Sequence, residues 1–131
     1  MIFGIGTDLI ELARIREAYE RHGARFATRL LSPGELVRLS QFADPVPYLA
    51  KRWAAKEAFA KALGTGIRPP VALAAISVGN DALGKPVFEF DEKVANFLAE
   101  RHIHHVHLSL SDERSSALAF VVLESDMRSR V

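Results

Sequence analysis

The chain has no cysteine among its 131 residues. That excludes a disulfide framework and thiolate metal sites, and it agrees with a reducing compartment. The opening from Met1 to Leu12 lacks the basic start and uninterrupted apolar run of a secretory signal. No stretch approaches the ~20 apolar residues of a membrane span. The expectation is a soluble cytoplasmic protein with no membrane partner. A large excess of one charge is also missing. The formal net charge is +1, which gives no general argument for a nucleic-acid partner. The length suits one domain, residues 1–131, which can bury about two-thirds of its extended surface without a covalent or metal staple.

Charge is nevertheless concentrated locally. Arginines stand at 14, 16, 21, 25, 29 and 38, with Arg52 beyond the next loop, against Glu17, Glu20 and Glu35. A basic N-terminal third suggests an acidic partner patch; a plain solvated helix face is the alternative.

Hydrophobic patterning gives the elements. Residues 2–10 read as a buried strand leading to Asp8, and a helix follows from Glu11 to a stop at Gly23. A short helix covers 25–31. Ser32-Pro33-Gly34-Glu35 has the form of an N-cap, a first-turn proline and a capping-box glutamate. That helix should fade near Phe42, ahead of a breaker at Asp44-Pro45-Val46-Pro47. The longest helix spans 48–63 and ends at Gly64. Strands are expected at 71–78 and 86–90 around a turn at 80–85, then a helix over 92–101 and strands at 106–110 and 117–123. The last seven residues should fray. The fold class is α+β: a single domain with a mainly antiparallel sheet packed with one long helix and several shorter ones.

On the long helix, Glu57 and Lys61 are four apart and share one side, with Trp53 a turn earlier. A tryptophan stripe normally faces the core, so Glu57 is expected to be partly buried, where a cation would relieve its desolvation. A surface Glu57–Lys61 pair is the bland alternative. Gly64-Thr65-Gly66 permits close backbone approach to a phosphate, although glycine there is also ordinary capping. Asp8 follows the glycine-spaced Gly4-Ile5-Gly6. Magnesium takes one or two protein carboxylates and completes its shell with water and phosphate oxygens, so Asp8 and Glu57 would suffice if the fold joined them. Strand alternation puts His105, His107, Ser109 and Ser111 on one face. That face could line a site with imidazole as general base, hold zinc through a His-x-His pair, or simply meet solvent.

Taken together, these segments resemble the holo-acyl-carrier-protein synthases, which are 4'-phosphopantetheinyl transferases. The matching blocks are Gly4-Ile5-Gly6-Thr7-Asp8-Leu9-Ile10-Glu11 with Arg14-Ile15 after it, and Arg52-Trp53-Ala54-Ala55-Lys56-Glu57-Ala58 running into Lys61-Ala62-Leu63-Gly64-Thr65-Gly66-Ile67. Leu83-Gly84-Lys85-Pro86 and His107-Leu108-Ser109-Leu110-Ser111-Asp112-Glu113-Arg114 complete the set, in order along essentially the whole chain. The resemblance implies the fold of that family and transfer of phosphopantetheine from coenzyme A to a serine of acyl carrier protein, in support of fatty acid biosynthesis. It implies Mg2+ on Asp8 and Glu57, and a coenzyme A site along Arg52, Lys61, Gly64, Thr65, Gly66, Pro86 and His107. Arg14 and Arg25 match carrier-binding positions. A homotrimer is implied, with sites between neighbouring subunits. His107 is a candidate general base and Glu57 its competitor. Many members carry histidine where Asp112 stands, so that position receives no role.

Overall fold

The computed structural model describes residues 1–126. Among them the elements run β1 (Ile2–Glu11), α1 (Leu12–His22), α2 (Ala24–Leu30), α3 (Pro33–Leu39), α4 (Val46–Leu63), a 3-10 turn (Leu73–Ala75), β2 (Ile76–Asn80), β3 (Pro86–Phe90), α5 (Glu92–Glu100), β4 (Ile103–Asp112) and β5 (Ser116–Ser125). β5 lies between β1 and β4 in an antiparallel three-stranded sheet, and β2 pairs antiparallel with β3 in a separate two-stranded one. No helix among these residues is long and apolar enough to cross a membrane.

α4 is the axis of the molecule. It carries thirteen buried residues and touches β1, β5, β4, β2, α1 and α2. A helix that is apolar nearly all round has to be enclosed, and the alanine-rich sequence permits that. On the sheet side, Ala117, Ala119, Val121 and Leu123 of β5 face it, all at most 1% exposed. On the other side Phe59 meets Phe88 and Phe90 of β3, with centroids 5.3 and 4.9 Å away.

The approach of β1 to α4 depends on two glycines. A Cβ on Gly4 would fall on the carbonyl oxygen of Ala62, and one on Gly6 on that of Ala58. These glycines sit in a strand because the helix backbone fills the space of a side chain.

Three expectations need correction. The stretch 44–47 does separate α3 from α4, but α4 starts within it, at Val46 and not at 48: Asp44 Oδ1 accepts from the Val46 N–H at 3.2 Å, and prolines suit a first turn whose N–H groups lack helical partners. Of the expected 71–78 strand only 76–78 belongs to a strand, which then runs on to Asn80. Before it, Val71 N–H bonds back to Arg68 O and Ala75 N–H to Ala72 O, which closes local turns. At the chain end, Ser125 does not fray. It belongs to β5, and its N–H donates to Met1 O at 2.7 Å. Asp126 is held as well, its N–H donating to His102 O at 3.0 Å, and the remaining 127–131 lie outside the described residues.

The Ser32–Glu35 capping box forms as read, with Ser32 N–H on Glu35 Oε1 at 2.9 Å. Its glutamate does more than cap. Oε1 also accepts from Lys56 Nζ at 2.6 Å, Oε2 accepts from the Val78 N–H at 2.8 Å, and the Arg52 guanidinium lies 3.6 Å away. Lys56, fully buried, donates a second bond to Leu30 O at 2.7 Å. One carboxylate thus ties α3, α4 and β2 together, and Lys56 adds the end of α2.

Candidate functional site

Asp8 is paired in register with Ala119 and so lies on the α4 side of the sheet. Lys61, in the last turn of α4, donates to Asp8 Oδ1 at 3.1 Å and to Thr7 O at 3.0 Å. Asp8 Oδ2 is buried and has no hydrogen-bond partner. An unpaired buried carboxylate oxygen is costly, so this one calls for a ligand.

Glu57 stands one helical turn before Lys61 and is half-buried. Burial, and then the charge of Asp8, push its carboxyl above the usual carboxylate range, while Lys61 opposes the shift. Two carboxylates with one orphaned oxygen and one raised proton affinity fit a hard cation, which would relieve both. Among the described residues no three His, Cys, Asp or Glu side chains converge to hold a metal, so water or substrate oxygens would have to complete any shell. Glu57 also borders a cavity of about 410 Å³ walled by Phe26, Leu30, Trp53 and Ile67.

Beyond Lys61, Gly64 and Gly66 both take positive φ, 84° and 67°, and a Cβ on either would meet nothing within 4 Å. Here glycine serves backbone conformation. Both N–H groups turn back onto Ala60 O, so they close the helix instead of facing outward.

The other residues singled out in the sequence lie elsewhere in the chain. Arg52 is turned inward: its Nη2 donates to Val78 O at 3.0 Å, and its Cζ sits 3.8 Å over the Tyr48 ring. Pro86 opens β3, opposite Asn80. His107 pairs in register with Val122 and faces away from α4, on the opposite side of the sheet from Asp8. There its Nε2 lies 2.6 Å from Glu124 Oε1. Arg14 and Arg25 are exposed on α1 and α2. Arg16 is held by Asp44 at 2.9 Å and Arg21 by Glu17 at 3.5 Å, whereas Arg14, Arg25 and Arg29 have no ion pair among the described residues.

The outer sheet face also exposes Phe3 (38%), Ile5 (56%), Leu9 (67%), Leu118 (42%) and Phe120 (42%). Sequence reading did not single out this patch, although the apolar residues of both β1 faces were visible. It also missed Glu124, whose partner is 17 residues away.

The profile of the 4'-phosphopantetheinyl transferase superfamily matches residues 4–121. The chain belongs to that superfamily. It is 53% identical over 124 residues to a holo-acyl-carrier-protein synthase of Laribacter hongkongensis (strain HLHK9), covering 95% of this chain and 99% of the relative. The crystal structure of the holo-acyl-carrier-protein synthase from Neisseria meningitidis superposes with a TM-score of 0.93 at 52% identity, covering 95% of this chain and 100% of that one. A holo-acyl-carrier-protein synthase from Bacillus anthracis str. Ames, solved in complex with CoA (3',5'-ADP), gives a TM-score of 0.81 at 38% identity, with 96% and 99% covered. The α+β fold of this phosphopantetheinyl transferase therefore extends along nearly the whole chain.

Proposed function

We propose that this chain, acting as one domain over residues 1–131, transfers 4'-phosphopantetheine from coenzyme A to a serine of apo-acyl carrier protein. The products are holo-acyl carrier protein and adenosine 3',5'-bisphosphate. The observation that carries the site assignment is the orphaned Oδ2 of Asp8 beside a Glu57 of raised proton affinity. Those two carboxylates would hold Mg2+, which supplies charge stabilisation at the pyrophosphate oxygens when bound.

The chain's own residues then have separate tasks. The serine Oγ attacks phosphorus, the pyrophosphate P–O bond breaks, and the bisphosphate leaves with the electron pair. Lys61 neutralises phosphate charge from the rim of the site, where its side chain is 55% exposed. The serine proton passes to His107, with Glu57 as the competing acceptor. Gly64, Thr65, Gly66 and Pro86 line the coenzyme A path, and Arg52 supports it from within. The exposed Arg14 and Arg25 dock the acidic carrier.

His107 and Asp8 lie on opposite faces of one sheet, so a site using both draws them from two copies. The apolar outer face suits such a contact. We therefore include a homotrimer in the proposal, and place the reaction in the cytoplasm in support of fatty acid biosynthesis.

The test is mass spectrometry of an apo-carrier incubated with coenzyme A, Mg2+ and the protein. The expected result is a gain of one phosphopantetheine mass. No gain with any apo-carrier would overturn the reading. Sedimentation should give three chains per particle, and Arg14→Glu should raise KM for the carrier more than for coenzyme A.

A further inference from the structure

Glu124 lies on β5 one diagonal step from the residue opposite His107, within reach of a long side chain. Its Oε1 is 2.6 Å from His107 Nε2. The hydrogen bond from His107 holds the Glu124 carboxyl below the usual carboxylate range. Glu124 is therefore ionised near neutral pH and can only accept, so the proton between the two groups sits on His107 Nε2. A neutral imidazole with Nε2–H has its lone pair on Nδ1, and Nδ1 has no partner among the described residues.

The neighbouring histidines differ. His105 stands opposite Glu124 in the ladder and its charge helps to lower that carboxyl, yet its ring makes no hydrogen bond among the described residues; it lies 4.0 Å from Asp126, and His104 lies 3.6 Å from the same carboxylate. All three are exposed, and among them only His107 has its ring held by a short carboxylate bond.

We propose that Glu124 is a positioning residue for His107: it holds the Nε2–H edge of the ring and so presents Nδ1 as the nitrogen that takes the serine proton. This rests on the role given to His107 above. It follows the general pattern in which a base is oriented by a third group.

The experiment combines two-bond 1H–15N spectra of histidine side chains with transfer kinetics, for the wild type, Glu124→Ala, Glu124→Gln and His107→Ala. The wild type should show His107 as the Nε2–H tautomer. In Glu124→Ala the tautomers should mix and kcat should fall about tenfold, with KM for coenzyme A within about twofold and the melting temperature unchanged. Glu124→Gln can still accept the bond through its amide oxygen, so it should keep the tautomer and lose less rate. An unaltered tautomer in Glu124→Ala overturns the proposal. So does an unaltered kcat in Glu124→Ala alongside a loss in His107→Ala, which leaves the reading of His107 standing. Full activity in His107→Ala removes that reading and the proposal with it.

Discussion

α4 carries two lysine–carboxylate pairs, and they differ in completeness. Lys56 and Glu35 are 0% and 4% exposed, and every carboxylate oxygen of Glu35 is bonded. Lys61 and Asp8 are 55% and 14% exposed, and one Asp8 oxygen is orphaned. The first pair is closed and fixes α2, α3, α4 and β2 against one another. The second has a vacant acceptor next to another carboxylate, which is the condition for binding a cation. Saturation, more than charge or burial, separates the structural pair from the functional one.

If that distinction holds, the largest effect should come from the open side. Glu57→Gln should lower the transfer rate by about 10³-fold, as expected for loss of a metal ligand, while circular dichroism and the melting temperature stay as in the wild type. The closed side should respond in stability instead. Lys56→Met leaves Glu35 buried without its partner and should lose about 3–5 kcal/mol in urea unfolding. The double variant Glu35→Leu with Lys56→Met should recover most of that, because well-packed apolar residues often replace a buried pair without loss.

Gly6→Ala probes the contact between the two regions. Its Cβ would meet the Ala58 carbonyl, so it should cost about 1–3 kcal/mol and displace Asp8 relative to Glu57. The transfer rate should therefore fall together with stability, unlike in either previous variant. The most gradual effect is a pH slope. Burial pushes the Lys56 ammonium down from 10.5 to about 8, against the pull of Glu35. The unfolded chain then binds more protons between those two values, so Lys56 should add stability as pH rises from 8 to 10.5, by up to about 1 kcal/mol per unit. That contribution should be absent from Lys56→Met in the same unfolding series.

Local signals in the sequence were sufficient for the pieces of this arrangement but not for its assembly. The capping box at Ser32 and Glu35 was legible because both partners lie within one turn. That Glu35 would also bind Lys56 and Val78 was not, since those contacts span 21 and 43 residues. Gly4 and Gly6 were visible as a glycine-spaced strand, yet the reason for them is the backbone of a helix more than fifty residues on. The proline pair at 45 and 47 marked the break after α3 correctly, but the start of α4 was placed two residues late because the residues that break a helix also begin one. Asp8 and Glu57 were joined as a metal site only through the family resemblance. Their shared electrostatics came from the fold, and spacing had left a surface pair open. Alternation along β4 correctly set His107 apart from Leu108, but the consequence, that His107 and Asp8 lie on opposite faces, required the strand order.

The most direct test is Asp8→Asn, measured for transfer and for melting in the same sample. Asparagine keeps the shape and removes the charge, so the account predicts transfer reduced at least about 10³-fold, with a melting temperature within about 2 °C of the wild type or above it. Transfer retained at wild-type Mg2+ levels, or a melting temperature lowered as far as that of Lys56→Met, would contradict it.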